Sequence, residues 1–163
     1  MISTVPASAT DEAFLFELFV STRLADFSGL GWSEADLEAL LILQYKARQF
    51  TYRQRYPTLA QDVVRQGDAP IGQVSTYESD AAIHLVEIAL LKAYRGKGIG
   101  SALIRGLQRR AARSGKALRL QVAVDNPALR LYRRLGFRRS EERFPYVQME
   151  WSLKKPAPIR TPT

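Results

Sequence analysis

Tyr94-Arg95-Gly96-Lys97-Gly98-Ile99-Gly100-Ser101-Ala102-Leu103-Ile104 is a basic, glycine-rich turn that runs straight into sequence of helical periodicity. Glycines let consecutive main-chain N–H groups face one point without interference from a Cβ. A helix start adds unpaired donors and the positive end of a dipole, so the combination suits a pyrophosphate and needs no metal to hold it. Spacing separates three kinds of phosphate loop. A Walker loop requires two glycines five apart followed by Lys and then Ser or Thr, whereas Gly100 is followed by Ser101 and Ala102. A dinucleotide fingerprint requires a third glycine three residues after the second, and Ser101 stands there. What is left is Arg95-x-x-Gly98-x-Gly100 after the apolar run Ile83 to Leu91. Without a ligand, the same residues would be a flexible basic helix start.

The stretch has a companion. Asp125-Asn126-Pro127-Ala128-Leu129-Arg130-Leu131-Tyr132-Arg133-Arg134-Leu135-Gly136-Phe137 follows, with Asn126 lying 26 residues after Gly100. Asn126 suits an N-cap, Pro127 the tolerated first helical position, and Gly136 the left-handed turn that ends a helix. A helix of about nine residues is predicted between them. In this order the two motifs resemble the signatures of the GNAT superfamily of acyl-CoA-dependent N-acyltransferases: a pyrophosphate loop, then an Asn-Pro helix ending in Gly-Phe.

Composition bounds the rest. The 163 residues, 46% of them apolar, suffice for one self-contained core, so residues 1–153 are expected to form a single domain. Residues 154–163, with three prolines from Pro156 onward, are expected to be a disordered tail. Zero cysteines exclude a disulfide framework, a thiolate metal site and an acyl-cysteine intermediate. Neither a signal peptide nor a membrane span is visible, which makes the cytoplasm the expected compartment. Charge is unevenly spread: residues 1–91 carry 6 Lys and Arg against 12 Asp and Glu, whereas residues 92–144 carry 15 against 3. A positive half suits an anionic cofactor and a negative half a cationic amine. Nucleic acid is the rival partner, but Arg105, Arg109, Arg110 and Arg113 alternate with apolar residues and no aromatic platform is interleaved, so a solvated helix face is expected for most of them.

Periodicity predicts an edge strand over Met1 to Ser8, a helix from Asp11 to about Phe27 capped by Thr10, and a second helix from the Ser33 cap to about Tyr52. Gln61–Arg65 and Ile71–Glu78 read as a hairpin joined by Gln66 to Pro70, and Ala82–Leu91 as a third strand. A helix from Gly98 to Ser114, a strand alternating Leu118, Leu120, Val122 and Val124, the Asn-Pro helix, and strands near Arg138–Arg143 and Tyr146–Leu153 complete the order. The fold class is α+β; the resemblance makes it the GNAT fold, a mixed sheet of six to seven strands flanked by about four helices.

The resemblance also implies roles. Arg95, Gly96, Lys97, Gly98, Ile99 and Gly100 would hold the pyrophosphate of acetyl-CoA, and main-chain groups of Ile88, Ala89 and Leu90 would pair with its pantetheine arm. Asn126 falls where relatives often touch the cofactor, though capping alone also explains it. Tyr132 stands where many members place the acid that protonates the departing thiolate. A phenol of pKa near ~10 can serve a thiolate whose parent thiol has a pKa around ~8.5; a tyrosine among Ala128, Leu129, Leu131 and Leu135 is usually plain core, and the flanking pattern favours the acid role. An attacking amine must first lose a proton, and Glu87 and His84 are the candidate bases. Their separation of three places them on opposite strand faces unless a bulge intervenes. Glu87 shares the face of Ile83, Leu85 and Ala89, where a lone carboxylate is unexpected unless paired or functional. His84 reads better as an ordinary strand residue. Trp32, Tyr45, Tyr52 and Tyr56 would wall the acceptor pocket or simply pack.

The expected activity is N-acetyl transfer from acetyl-CoA directly to a primary amine, small or peptidic, with no metal and with self-association as the family's dimers suggest. Its rivals are a non-catalytic acyl-CoA-sensing module on the same fold and a nucleic-acid-binding domain.

Overall fold

Strand alternation and glycine punctuation set the architecture of the computed structural model, which describes residues 1–27 and 29–153. The expected tail, 154–163, lies outside the described residues, as does Ser28. In chain order the elements are β1 (Ile2–Pro6), α1 (Glu12–Phe27), α2 (Glu34–Arg55), β2 (Ala60–Gln66), β3 (Ala69–Glu78), β4 (Ala82–Leu90), α3 (Ile99–Ser114), β5 (Ala117–Ala123), α4 (Ala128–Arg134), β6 (Arg138–Arg143) and β7 (Tyr146–Trp151). The strands form a mixed seven-stranded sheet of order β1-β2-β3-β4-β5-β7-β6. The chain divides into two compact units, Met1–Glu78 with Leu85–Gly100, and Ser79–His84 with the chain from Ser101 onward.

In the first unit, β1 and β2 pair antiparallel from Ile2 opposite Gln66 to Pro6 opposite Asp62. β2 and β3 form the expected hairpin, but its turn is tighter than the five-residue link predicted. Only Gly67 and Asp68 turn, and Gly67 takes a φ of +59°. Pro70 joins the strand because the register shifts between Val64 and Arg65, and a proline without an N–H is tolerated at such an irregularity. β3 is buried from Ile71 through Thr76; its polar Gln73 is satisfied by Gln61 Nε2 at 2.8 Å. Leu15, Leu18 and Phe19 of α1, Leu41 of α2, and Val63, Val64 and Ile71 form the core here. α1 is preceded by a 3₁₀ turn, Ala9–Asp11, so Thr10, expected as the cap of α1, lies inside that turn, and Ser8 stands at the turn's N-cap. The Ser8 N–H donates to Asp11 Oδ2 at 2.9 Å, and Arg65 Nη2 ties Asp11 Oδ1 to β2 at 2.8 Å. Ser33 caps α2 as expected, accepting from the Asp36 N–H at 3.1 Å.

In the second unit, Leu118, Leu120 and Val122 of β5 alternate inward, with Leu118 opposite Trp151 and Ala123 opposite Tyr146 of β7. Ile104, Gln108 and Ala111 are the buried positions of α3, spaced as one helical face. Gln108 Nε2 donates to the Leu135 carbonyl at 2.8 Å and so joins α3 to the end of α4. α4 spans seven residues, shorter than the nine expected, because Pro127 and Leu135 stand at its two ends as flanking residues; Gly136, at φ +92°, then turns the chain as expected. β6 is exposed along its whole length, and its charges pair locally, Arg139 with Glu142 and Arg143 with Glu141.

Candidate active site

Burial fades along β4. Ala82, Ile83 and Leu85 are buried, whereas every residue from Val86 to Leu90 is half-exposed, so the strand presents its final residues toward whatever fills the space beside them. Leu91 N–H donates to the Ile71 carbonyl at 2.8 Å, and a single 3₁₀ turn, Lys92–Tyr94, leads into the glycine loop. Gly96 and Gly98 adopt φ of +72° and +80°. Beyond the adjoining backbone, no heavy atom lies within 4 Å of where a Cβ would stand on Gly96, Gly98 or Gly100. Among the described residues, none of the N–H groups of Gly96, Lys97 and Gly98 donates to a backbone carbonyl. The first turn of α3 contains no acidic residue. Free amides, left-handed glycines and a helix start without competing carboxylate together form a cradle that an anionic diphosphate fits. Arg95 is exposed but not idle: its Nε donates to the Leu90 carbonyl at 2.9 Å, which fastens the loop to the end of β4. Lys97 Nζ sits 5.9 Å from the Tyr94 ring centroid.

Ile88, Ala89, Leu90 and Arg95 to Gly100 therefore fall together in the first unit, as does Glu87. Glu87 is not solitary. It forms an ion pair with Arg48 of α2, the two side chains being 17% and 19% exposed. Arg48 also lies 5.2 Å from the ring centroids of both Phe19 and Tyr52, and burial lowers it from the usual arginine range. Arg48 was not legible as a site residue. Its one signal is its place on the aromatic face of α2, three after Tyr45 and four before Tyr52, where a lone cation is as unexpected as the carboxylate it meets.

The aromatic residues expected near an acceptor are packed rather than free. Tyr45 contacts the rings of Phe16 and Phe19 at 5.3 and 5.4 Å, and its hydroxyl donates to Glu12 Oε1 at 3.1 Å while accepting from Gln49 at 2.9 Å. Burial pushes the Tyr45 phenol up. Tyr52, Tyr56 and Tyr77 continue the cluster, whereas Trp32 is exposed.

Asn126 and Tyr132 belong to the second unit. Asn126 caps α4 as its sequence position requires, Oδ1 accepting from the Ala128 N–H at 2.9 Å. Tyr132 is 8% exposed, with its ring 5.7 Å from that of Phe137. Among the described residues the Tyr132 hydroxyl makes no hydrogen bond, yet it is not a fully buried, unsatisfied atom: the ring is packed while the oxygen keeps access to solvent. Burial raises its pKa. His84 shares a 3.3 Å hydrogen bond with Ser79 Oγ, and burial followed by the charge of Arg119 lowers its pKa, so the imidazole is neutral at pH 7. Among the described residues no group of three His, Cys, Asp or Glu could hold a metal, and no helix is long and apolar enough to cross a membrane.

Comparison with known proteins bears on the family and the fold. Residues 13–137 match the model of the acetyltransferase (GNAT) family. An N-alpha-acetyltransferase of Sulfurisphaera tokodaii is 40% identical over 58 residues, which is 34% of this chain and 35% of that protein, so the match spans about a third of the curated relative. Among solved structures, the PaiA N-acetyltransferase of Thermoplasma acidophilum in complex with coenzyme A superposes with a TM-score of 0.71 at 19% identity, covering 93% of this chain and 99% of that one. The ribosomal-protein-S18-alanine N-acetyltransferase of Escherichia coli superposes with a TM-score of 0.63 at 19% identity, covering 98% of both chains.

Proposed function

The chain belongs to the acetyltransferase (GNAT) family, and from that premise we propose that it transfers an acetyl group from acetyl-CoA directly to a primary amine. The observation that carries the reading is the loop from Arg95 to Gly100, where two left-handed glycines and unengaged amides lead into a helix start free of acid. Backbone amides there hold the diphosphate, and the main chain of Ile88 to Leu90 pairs with the pantetheine amides. Acetyl-CoA supplies the acetyl group as a thioester. Tyr132 returns a proton to the thiolate that leaves, and Asn126 borders the cofactor from its cap.

Glu87 takes the proton that the amine must shed, because an alkylammonium of pKa near ~10.4 has no lone pair at neutral pH. Arg48 fixes the direction of that carboxylate and engages part of its acceptor capacity. Glu87→Gln is therefore expected to lower kcat/KM by up to about 100-fold, the low end of general-base effects. Gln can still hydrogen-bond Arg48, and the loss should shrink as pH approaches the amine's own pKa. A pH–rate profile of the variant that parallels the wild type would assign proton removal elsewhere.

Gly98→Val should weaken acetyl-CoA binding roughly tenfold, since a β-branched residue at φ +80° costs about 1–2 kcal/mol and would rotate the amides away. Equilibrium titration with CoA checks this; unaltered affinity would remove the loop from the binding site.

The acidic balance of residues 1–91 favours a cationic acceptor. Peptide α-amines belong in the same panel, because one relative carries the name N-alpha-acetyltransferase. Thiol release from acetyl-CoA, followed across polyamines, amino acids and peptides, tests the proposal. Release above the uncatalysed rate with one acceptor class is expected; tight CoA binding with no release across the panel would leave a sensing module instead.

A further inference from the structure

α3 and α4 together contain seven arginines, no lysine and no carboxylate. All seven are exposed. Among the described residues, Arg105, Arg109, Arg113, Arg130, Arg133 and Arg134 take part in no ion pair, in contrast to Arg119, Arg139 and Arg143 of the neighbouring strands. Arg105, Arg109 and Arg113 recur every four residues, so they stand in a row about 12 Å long on one side of α3. Gln108, adjacent to Arg109, bonds the carbonyl of Leu135, adjacent to Arg134, which places the two helices side by side within one unit. The alternation with apolar residues that argued against nucleic acid in the sequence is the turning of a helix: Ile104, Gln108 and Ala111 go inward and the arginines remain outside.

From this we infer that the outer face of α3 and α4 docks the phosphate backbone of duplex nucleic acid, independently of acyl transfer. Three observations narrow the partner to that chemistry. The cations are all arginine, whose planar fork suits phosphate oxygens. No large apolar side chain of either helix is exposed, so the face lacks the hydrophobic side that an interfacial membrane helix or a protein hot spot needs. No exposed aromatic residue lies on it for bases to stack upon, which favours a duplex over a single strand. Contacts of this kind position a protein without reading bases, so RNA and DNA duplexes both qualify.

The test is fluorescence anisotropy of a labelled RNA duplex and a DNA duplex of the same sequence, each titrated with the full chain in saturating CoA. Binding is expected in the micromolar range typical of backbone contacts, with an affinity falling about 100-fold between 50 and 200 mM salt. In Arg109→Glu/Arg113→Glu it should weaken at least about tenfold, with the salt slope reduced by about 2, while CoA affinity stays unchanged. Arg109→Lys/Arg113→Lys should largely retain it, which separates lost charge from a misfolded helix. The inference is overturned by absence of duplex binding at 50 mM salt, by loss of binding when CoA is added, by equal binding of the charge-reversed variant, or by tighter binding to single strands or phosphatidylserine vesicles than to either duplex.

Discussion

Tyr132→Phe is expected to lower turnover by about 10²–10⁴-fold, the range for losing a positioned general acid, while leaving CoA affinity nearly unchanged. The substitution is unusually clean. It removes one oxygen, keeps the ring that packs at 5.7 Å on Phe137, and strands no internal partner, because among the described residues the hydroxyl has none. Stability should therefore hold or rise slightly, so any fall in rate belongs to the chemistry. Burial raises the phenol's pKa, which keeps Tyr132 protonated through the neutral range. The same desolvation would raise the pKa of a thiol, so burial does not set acid and thiolate against each other. The sign for pH follows: a raised pKa means that Tyr132 is competent below about pH 10 and lost as pH climbs past its folded value. Wild-type turnover should accordingly fall on the alkaline side, and that limb should be absent from Tyr132→Phe; folding stability should fall there too, and less steeply in the variant, which keeps the limb of the Tyr45 phenol that burial also pushes up. Stopped-time assays of thiol release from pH 6 to 11 check this; a variant with wild-type turnover would leave Tyr132 as core alone.

Legibility in the sequence tracked the range over which each signal acts. Capping is local, so Ser33 and Asn126 could be read from their neighbours, and both accept the N–H bonds their positions demand. Period-two burial is likewise written into Leu118, Leu120 and Val122. Thr10 falls inside a 3₁₀ turn that starts at Ser8, whose N–H donates to Asp11 Oδ2, a local start that helical periodicity does not show. The hairpin turn contracted to Gly67 and Asp68 because a register shift accommodated Pro70. Glu87 was legible as an anomaly on an apolar face. Arg48, which resolves it, lies 39 residues earlier on another element, and long-range pairing leaves no mark in local pattern. The glycine loop was fully legible because glycine at positive φ is a backbone requirement, met at Gly96 and Gly98.

Gly72 carried no such mark, since its φ is not positive and nothing in its flanks announces a close approach. Replacing it with alanine is nevertheless expected to be among the most damaging single-methyl additions in the chain. A Cβ at Gly72 would overlap the Ala89 carbonyl oxygen and stand 2.7 Å from Leu90 Cδ2 and 3.2 Å from Leu90 Cα. The Leu90 side chain can rotate away. The carbonyl of Ala89 and the Leu90 main chain cannot, except by displacing the end of β4 from β3. Overpacking of this kind costs about 1–3 kcal/mol, and at about 2–4 °C per kcal/mol for a chain of this size the melting temperature should fall by several degrees. The displaced segment is the one proposed to pair with pantetheine, and it is anchored beside Gly72 by the Leu91 N–H to Ile71 carbonyl bond at 2.8 Å. Acetyl-CoA affinity should therefore fall together with stability in Gly72→Ala. Gly100→Leu offers the opposite pattern: open space around its Cβ leaves folding intact, so affinity alone should suffer when the side chain meets the ligand. Thermal unfolding paired with CoA titration separates the two. Wild-type melting in Gly72→Ala would mean that β3 and the end of β4 do not approach so closely, and wild-type CoA affinity in it would detach the Ile88–Leu90 backbone from cofactor binding.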